Sequence, residues 1–311
     1  MNEEDGRAGR VEQREAPTPA EEALRGAVRI SEGEPAQAPP GGALKVDGLP
    51  GATIRRLVEQ VLVAPHPEAA LQWMHDVGLL AMVLPELEAT VDFAQEMGRR
   101  HKDVWKHTKQ VVAQSEIDPV VRWAALLHDI GKVPTRSVSP SGKVAFHGHA
   151  AIGARLFDRI SRRLDFPRPE RTTIRFLIQH HLRANQYDGS WTDSAVRRFD
   201  REMGEHLDAL LSLSRADITS ARHHKRAAAL AQIEELVARI RALREIDSRV
   251  PPLPSGLGNE IMEHFKLKPS RIIGQLRQAL EQAVEDGGLE GGREPGYYLR
   301  YLEQHREELG L

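Results

Sequence analysis

The 311-residue chain has no cysteine. Disulfides, thiolate metal sites and cysteine nucleophiles are therefore excluded, and any metal centre must be built from His, Asp and Glu, which suits zinc, manganese, iron, nickel or magnesium. No run of eighteen apolar residues occurs and the N-terminus lacks an apolar signal region. The expectation is a soluble, cytoplasmic protein without a membrane segment. Strand signals are nearly absent, "GKVAFHG" being the one candidate for a short extended piece. A strong charge of one sign is missing as well, since the formal net charge is −2.

What the chain does have is enough apolar sequence, 40% of residues, for one large domain or two to three small ones. From about Leu49 onward, apolar residues recur at three- and four-residue spacings, as in "ATIRRLVEQVL" and "PEAALQWMHDVGLLAMVL". Helices are predicted over 103–115, 119–129, 148–163, 168–184, 192–200, 204–222 and 225–246. Three more follow in the segments beginning "NEIMEHF", "PSRIIGQ" and "PGYYLRY". The fold class is all-α. Residues 1–44, rich in Glu, Pro, Ala and Gly, are expected to form a disordered tail with at most a short helix near Glu21 to Ile30.

Charge is unevenly spread. Eleven arginines stand against six acids between Arg155 and Arg201. Two readings of that excess stay open, a solvated helical surface and a patch that faces phosphates.

The informative residues are histidines and aspartates on apolar stripes. "WAALLHDIGK" runs a buried helix straight into His128 and Asp129, a costly pair to bury unless something compensates them. His107 lies on the edge of the face formed by Val104, Thr108, Val111 and Val112. Asp217 is in register with Leu207, Leu210, Leu211 and Ser214. These four residues are good ligands for a divalent ion, and a helical bundle is the architecture that brings such side chains together. Successive helical residues diverge by roughly 100°, so His128 and Asp129 can share a metal only near a helix end. Gly131 is expected to supply that end as a left-handed C′ residue. His147 and His149, and the pair His180 and His181, extend the set. Of these His149 is the better candidate because it opens a helix; periodicity favours His181, and His180 borders the same face. The second doublet, His75-Asp76, is expected to be structural. His66, His101, His206, His223, His224, His264 and His305 are expected at the surface.

The order His, His-Asp, His, His, Asp on successive helices resembles the HD superfamily of metal-dependent phosphohydrolases. "ALLHDIGKVPTRSV", "GKVAFHGHAAIGARLFDRI" and "LIQHHLRAN" are similar to the HD domain of bacterial tRNA nucleotidyltransferases, the CCA-adding enzymes. The similarity continues into "PEAALQWMHDVGLLAMVLPELEA", like that family's neck and body helices, and into "PLPSGLGNEIMEHFKLKPSRIIGQLRQALEQAVEDG", like its C-terminal segment. The resemblance implies a helical neck or body-like segment at 45–100, an HD helical bundle at 101–225 and a C-terminal helical segment at 226–311. The nucleotidyltransferase head has no counterpart. No Asp-x-Asp occurs, and the stretch before residue 45 is too short for a catalytic sheet, so CCA addition by this chain alone is not expected.

The resemblance further implies one or two divalent ions (Mn, Ni, Fe, Zn or Mg). His107, His128, Asp129 and Asp217 would hold the first, and His149 with His180 or His181 the second, bridged by Asp129. Asp129 and Lys132 would be catalytic, and Lys132 and Arg183 would bind substrate phosphate. The implied reaction is hydrolysis of nucleotide or RNA phosphates by a metal-activated water: 2′,3′-cyclic phosphodiesters, 2′-nucleotides, phosphomonoesters or a tRNA 3′ end. The flanking helices would be an RNA-contacting scaffold or a homo-oligomer surface. Two other readings compete, an RNA-binding accessory with a non-catalytic HD site and dinuclear-iron oxygenase chemistry.

Overall fold

The computed structural model describes residues 17–39, 44–46, 48–91, 93, 103–142, 144–249, 252–309 and 311. Two short strands aside, the regular structure among them is helical. None of these helices is long and apolar enough to cross a membrane. The chain divides into two compact units, 1–179 and 180–311, a division that falls inside the 101–225 span expected for the HD domain.

The first unit begins with the helix expected near Glu21 to Ile30, a few residues longer than expected. Within the expected tail, Pro19–Ser31 is a well-formed helix, α1. Thr18 caps it by accepting from the Glu21 N–H at 3.2 Å, and Pro19 occupies its first turn. Ala20, Ala23, Leu24 and Ala27 form its buried stripe. Three of these four are alanines, so the stripe adds little to a composition count. Their small size nevertheless lets α1 lie close against α2 (Gly51–Val63) and α3 (Pro67–Asp76). Residues 1–16 and 40–43 of the expected tail lie outside the described residues.

The short helices α4 (Leu79–Val83) and α5 (Pro85–Glu88) follow. Then come α6 (Val104–Gln114) and α7 (Pro119–Leu127), capped by Asp103 and Asp118. Residues Val121 to Leu127 are buried throughout. Among them is Arg122, 4% exposed, whose guanidinium donates to the carbonyls of Leu62, Ala64, Ser115 and Glu116. A cation is thereby buried on carbonyl dipoles, and burial draws its pKa below the ordinary arginine value.

After α8 (Lys132–Thr135), a two-strand hairpin pairs β1 (Ser137–Val138) with β2 (Val144–Ala145). β2 is the extended piece expected from "GKVAFHG"; β1, only two residues long, gives no sequence signal. Two longer helices, α9 (His149–Arg163) and α10 (Arg168–His180), complete the unit, the last residue of α10 belonging to the next. α10 is shorter than the helix expected over 168–184. The Arg183 N–H bonds the His180 carbonyl at 2.8 Å, a tightened terminal turn, and Asn185, Asp188 and Gly189 continue as turn formers.

In the second unit, α11 (Asp193–Met203), α12 (Leu207–Asp217) and α13 (His223–Arg249) pack through Val196, Phe199, Leu210, Leu213, Ile233, Leu236 and Ile240. Three ion pairs link α11 to α13: Asp193–Arg239, Arg197–Asp247 and Asp200–Arg244. A separate cluster forms from α14 (Leu257–His264), α15 (Arg271–Glu285) and α16 (Pro295–Gln304) around Leu257, Ile261, Leu276, Leu280 and Tyr298.

Candidate metal centre

α7 ends at Leu127, and His128 to Gly131 turn before α8. This relaxed backbone lets two successive side chains face the same interior. His128 is fully buried and Asp129 is 2% exposed. Gly131 does not take the left-handed conformation expected of it. Its φ is −70°, and its role is close approach: a Cβ there would lie 2.0 Å from the His149 carbonyl oxygen and 2.6 Å from the Gly153 nitrogen. The first turn of α9 is seated directly on the His-Asp turn. Gly153, inside a helix where glycine is costly, marks the other side of that approach in the sequence.

This seating brings His149 to Asp129, while His147 is exposed. His149 Nε2 lies 3.5 Å from Asp129 Oδ1. On the other carboxylate oxygen, Oδ2, His128 Nε2 lies at 3.2 Å and His107 Nε2 at 3.6 Å, and the two nitrogens are 3.3 Å apart. Lys132 Nζ reaches Oδ2 at 2.6 Å and stands 5.8 Å over the Phe146 ring. Five expected residues, His107, His128, Asp129, Lys132 and His149, are thus gathered within the first unit.

The tautomers decide what these contacts mean. His128 Nδ1 is 2.8 Å from the Ala125 carbonyl, and His149 Nδ1 is 2.9 Å from the Phe146 carbonyl. A carbonyl only accepts, so each Nδ1 carries a proton and each ring turns its Nε2 toward Asp129, a lone pair in the neutral form. Burial lowers the His149 pKa, outweighing the Phe146 carbonyl and the Asp129 charge, which favour protonation. The Nε2 atoms therefore converge on a carboxylate whose Oδ2 also pairs with the Lys132 ammonium at 2.6 Å, a set of nitrogen and oxygen donors that a divalent cation can share. Ligands about 2.0–2.2 Å from one ion lie roughly 3 Å or slightly more from each other, which is the spacing seen here. His107, His128 and Asp129 can together hold a metal ion. The backbone carbonyls of Ala125 and Phe146, which hold the rings by their Nδ1 sides, had no sequence signal.

The other expected residues belong to the second unit. His181 is buried; His180 and Asp217 are partly exposed. The Arg183 guanidinium is held by Glu202 at 2.5 Å and lies 5.9 Å over the Phe199 ring.

Residues 87–238 match the family model of the HD domain. The chain carries an HD domain. Its match spans the end of the first unit and the beginning of the second. The chain is 32% identical over 240 residues to an A-adding tRNA nucleotidyltransferase of Deinococcus radiodurans, covering 74% of this chain and 53% of the relative. To a CC-adding tRNA nucleotidyltransferase of Thermus thermophilus it is 28% identical over 262 residues, 82% and 57% of the two chains. A multifunctional CCA protein of Pseudomonas paraeruginosa is 34% identical over 133 residues, 42% and 32% of the two chains. The chain thus spans little more than half the length of the first two relatives. With the HD domain in place, the second doublet contrasts plainly: His75 Nδ1 bonds Glu88 at 2.9 Å, and exposed Asp76 accepts from Gln72.

Proposed function

We propose that this HD domain is a metal-dependent phosphohydrolase acting on nucleotide or RNA phosphates, of the 2′,3′-cyclic phosphodiesterase, 2′-nucleotidase or phosphatase type. One observation carries the reading: three histidine Nε2 atoms, two of them on carbonyl-tethered rings, converge on one buried carboxylate, a donor set that suits a divalent cation. His107, His128, Asp129 and His149 would hold one or two divalent ions. When bound, such an ion supplies Lewis-acid polarisation of a phosphoryl oxygen and lowers the pKa of water toward about 7.

The chain's own contribution is preorganisation. The Ala125 and Phe146 carbonyls keep the two rings oriented with Nε2 toward Asp129. Asp129 draws the histidines into one locus, and Lys132, bonded to Oδ2, fixes the carboxylate while offering positive charge beside it to a phosphate oxygen. The names of two of the relatives, both tRNA nucleotidyltransferases, favour an RNA-type substrate, including a tRNA 3′ end.

The test is hydrolysis of 2′,3′-cyclic nucleotides by metal-stripped protein reloaded with Mn, Ni, Fe, Zn or Mg, beside Asp129→Ala. Activity restored by one ion and absent in the variant is the expected result. No activity with any ion, in protein that still binds tRNA, would replace this reading with that of an RNA-binding accessory. The same reloading on His180→Ala, His181→Ala and Asp217→Ala asks whether any of these residues contributes to metal uptake.

A further inference from the structure

The arginine excess between residues 155 and 201 separates into two kinds. Arg163, Arg175, Arg183, Arg197 and Arg201 pair with carboxylates, namely Glu86, Asp158, Glu202, Asp247 and Glu285. The other six make no ion pair among the described residues, and three of them, Arg162, Arg168 and Arg171, line one open groove of about 590 Å³ between α9 and α10, joined there by Arg175, Phe176, Thr172 and Gln179.

Arg168, Arg171 and Arg175 follow i, i+3, i+7 spacing and so share one face of α10, and Arg162 completes the wall from α9. The only carboxylate in the groove, Asp158, is occupied by Arg175 at 3.0 and 3.2 Å. Arg162 spends its Nε–H on the Asp158 backbone carbonyl at 2.9 Å and keeps its other donors. Arg171 and Arg175 are partly buried rather than splayed into solvent. Like charges along one groove repel, and its lining offers Arg162, Arg168 and Arg171 no free carboxylate. An external anion with several negative charges supplies what is missing.

We infer that the α9–α10 groove binds the phosphate backbone of single-stranded RNA. Guanidinium groups ranged along a groove suit a strand whose bases are unpaired, since its flexible backbone lets successive phosphates reach the forks. The Thr172 hydroxyl donates to the Arg168 carbonyl and the Gln179 Oε1 accepts from Arg175, which leaves the hydroxyl's lone pair and the Gln179 amide N–H groups as partners for a 2′-hydroxyl. Only the choice of RNA over DNA rests on the proposed function; the basic groove stands without it.

The experiment is fluorescence anisotropy of a labelled, unstructured RNA oligonucleotide against the full chain in EDTA, so the outcome is independent of metal and of hydrolysis. It is repeated over a KCl series, with a DNA strand of the same sequence and an RNA duplex as parallel probes. Replacing Arg162, Arg168 and Arg171 together by alanine should weaken binding at least about tenfold near 0.1 M KCl. It should also flatten the salt slope by about 2, at roughly 0.7 per single-strand phosphate contact. The triple lysine variant keeps the charge and should keep the slope, which separates lost contacts from lost folding. An alanine variant with wild-type affinity and slope would overturn the inference, as would wild-type protein that fails to bind RNA at low salt. DNA bound as well as RNA, or the duplex preferred, would overturn the assignment of the strand.

Discussion

The first unit contains the same four-residue pattern twice, His75-Asp76-Val77-Gly78 and His128-Asp129-Ile130-Gly131. Both follow an amphipathic helix and both end it. The first remains at the surface, with His75 bonded to Glu88, Asp76 to Gln72, and Gly78 left-handed at φ +76° with open space where a Cβ would be. The second is sealed under the first turn of α9, with Gly131 right-handed and no room for a Cβ. A His-Asp doublet is therefore not a site by composition. It becomes one when another element is packed onto the turn, water is excluded and further histidines point at the same carboxylate.

The sharpest way to test this contrast is to replace the two aspartates in parallel. Asp129→Asn removes the negative charge on which three Nε2 atoms converge, and bound metal, read by elemental analysis after dialysis, should fall to background. Any metal-dependent hydrolysis should drop by about 100-fold or more, the scale of losing one preorganised electrostatic contact. Asp76→Asn should leave both unchanged. If Asp76→Asn removed metal equally, the assignment of the site to the buried doublet would fail.

The two glycines give the next largest difference. Gly131→Ala forces a methyl group into the His149 carbonyl, and backbone cannot swing aside as a flexible side chain can. Urea unfolding should show a loss of about 3 kcal/mol, together with weakened metal uptake as α9 is pushed from the turn. Gly78→Ala meets no atom and pays only for a left-handed alanine, about 1–2 kcal/mol, with metal content unaffected. Equal losses at the two positions would mean that the close approach of α9 does not hold the site.

How much of this could be read beforehand follows from the range of the interactions. Helices came through because burial along α6, α7, α9 and α10 repeats with the helical period, and His107 is legible for the same reason, sitting at the edge of the Val104-Thr108-Val111 stripe. The doublet is legible as an unusual place for buried charge. The conformation of Gly131 is not, because turn chemistry favours the left-handed form and a contact eighteen residues away, with His149, decides against it. The helix α1 is legible near Glu21 to Ile30, but its packing is not, because its buried stripe is mostly alanine and contributes by close approach to α2 and α3 rather than by apolar bulk. The tethers of His128 and His149 are backbone carbonyls, which carry no residue identity at all.

The smallest expected effect comes from α5, which touches both halves of the comparison. Glu88 takes His75, while Glu86 takes Arg163, at the far end of the helix that opens with His149. Burial alone would raise the Glu86 pKa, but two hydrogen bonds from Arg163, at 2.8 and 2.7 Å, and the positive charges of Arg163 and Arg159 outweigh it and lower the value. A depressed carboxylate stabilises the fold above its unfolded pKa, near the ordinary 4.5, and that stabilisation is lost as pH falls through the lower folded-state value. The stability difference between wild type and Glu86→Gln should accordingly be constant above about pH 5 and shrink below it. Its size should stay under about 1 kcal/mol, because Arg163 is 39% exposed and solvent screens the pair. Urea titrations of both proteins across this range measure it. Metal content at neutral pH should be the same in the two, since the tie lies at the C-terminal end of α9 and the ligands at its start. A Glu86→Gln protein that lost metal would show that the seat of α9 on the His-Asp turn depends on both of its ends.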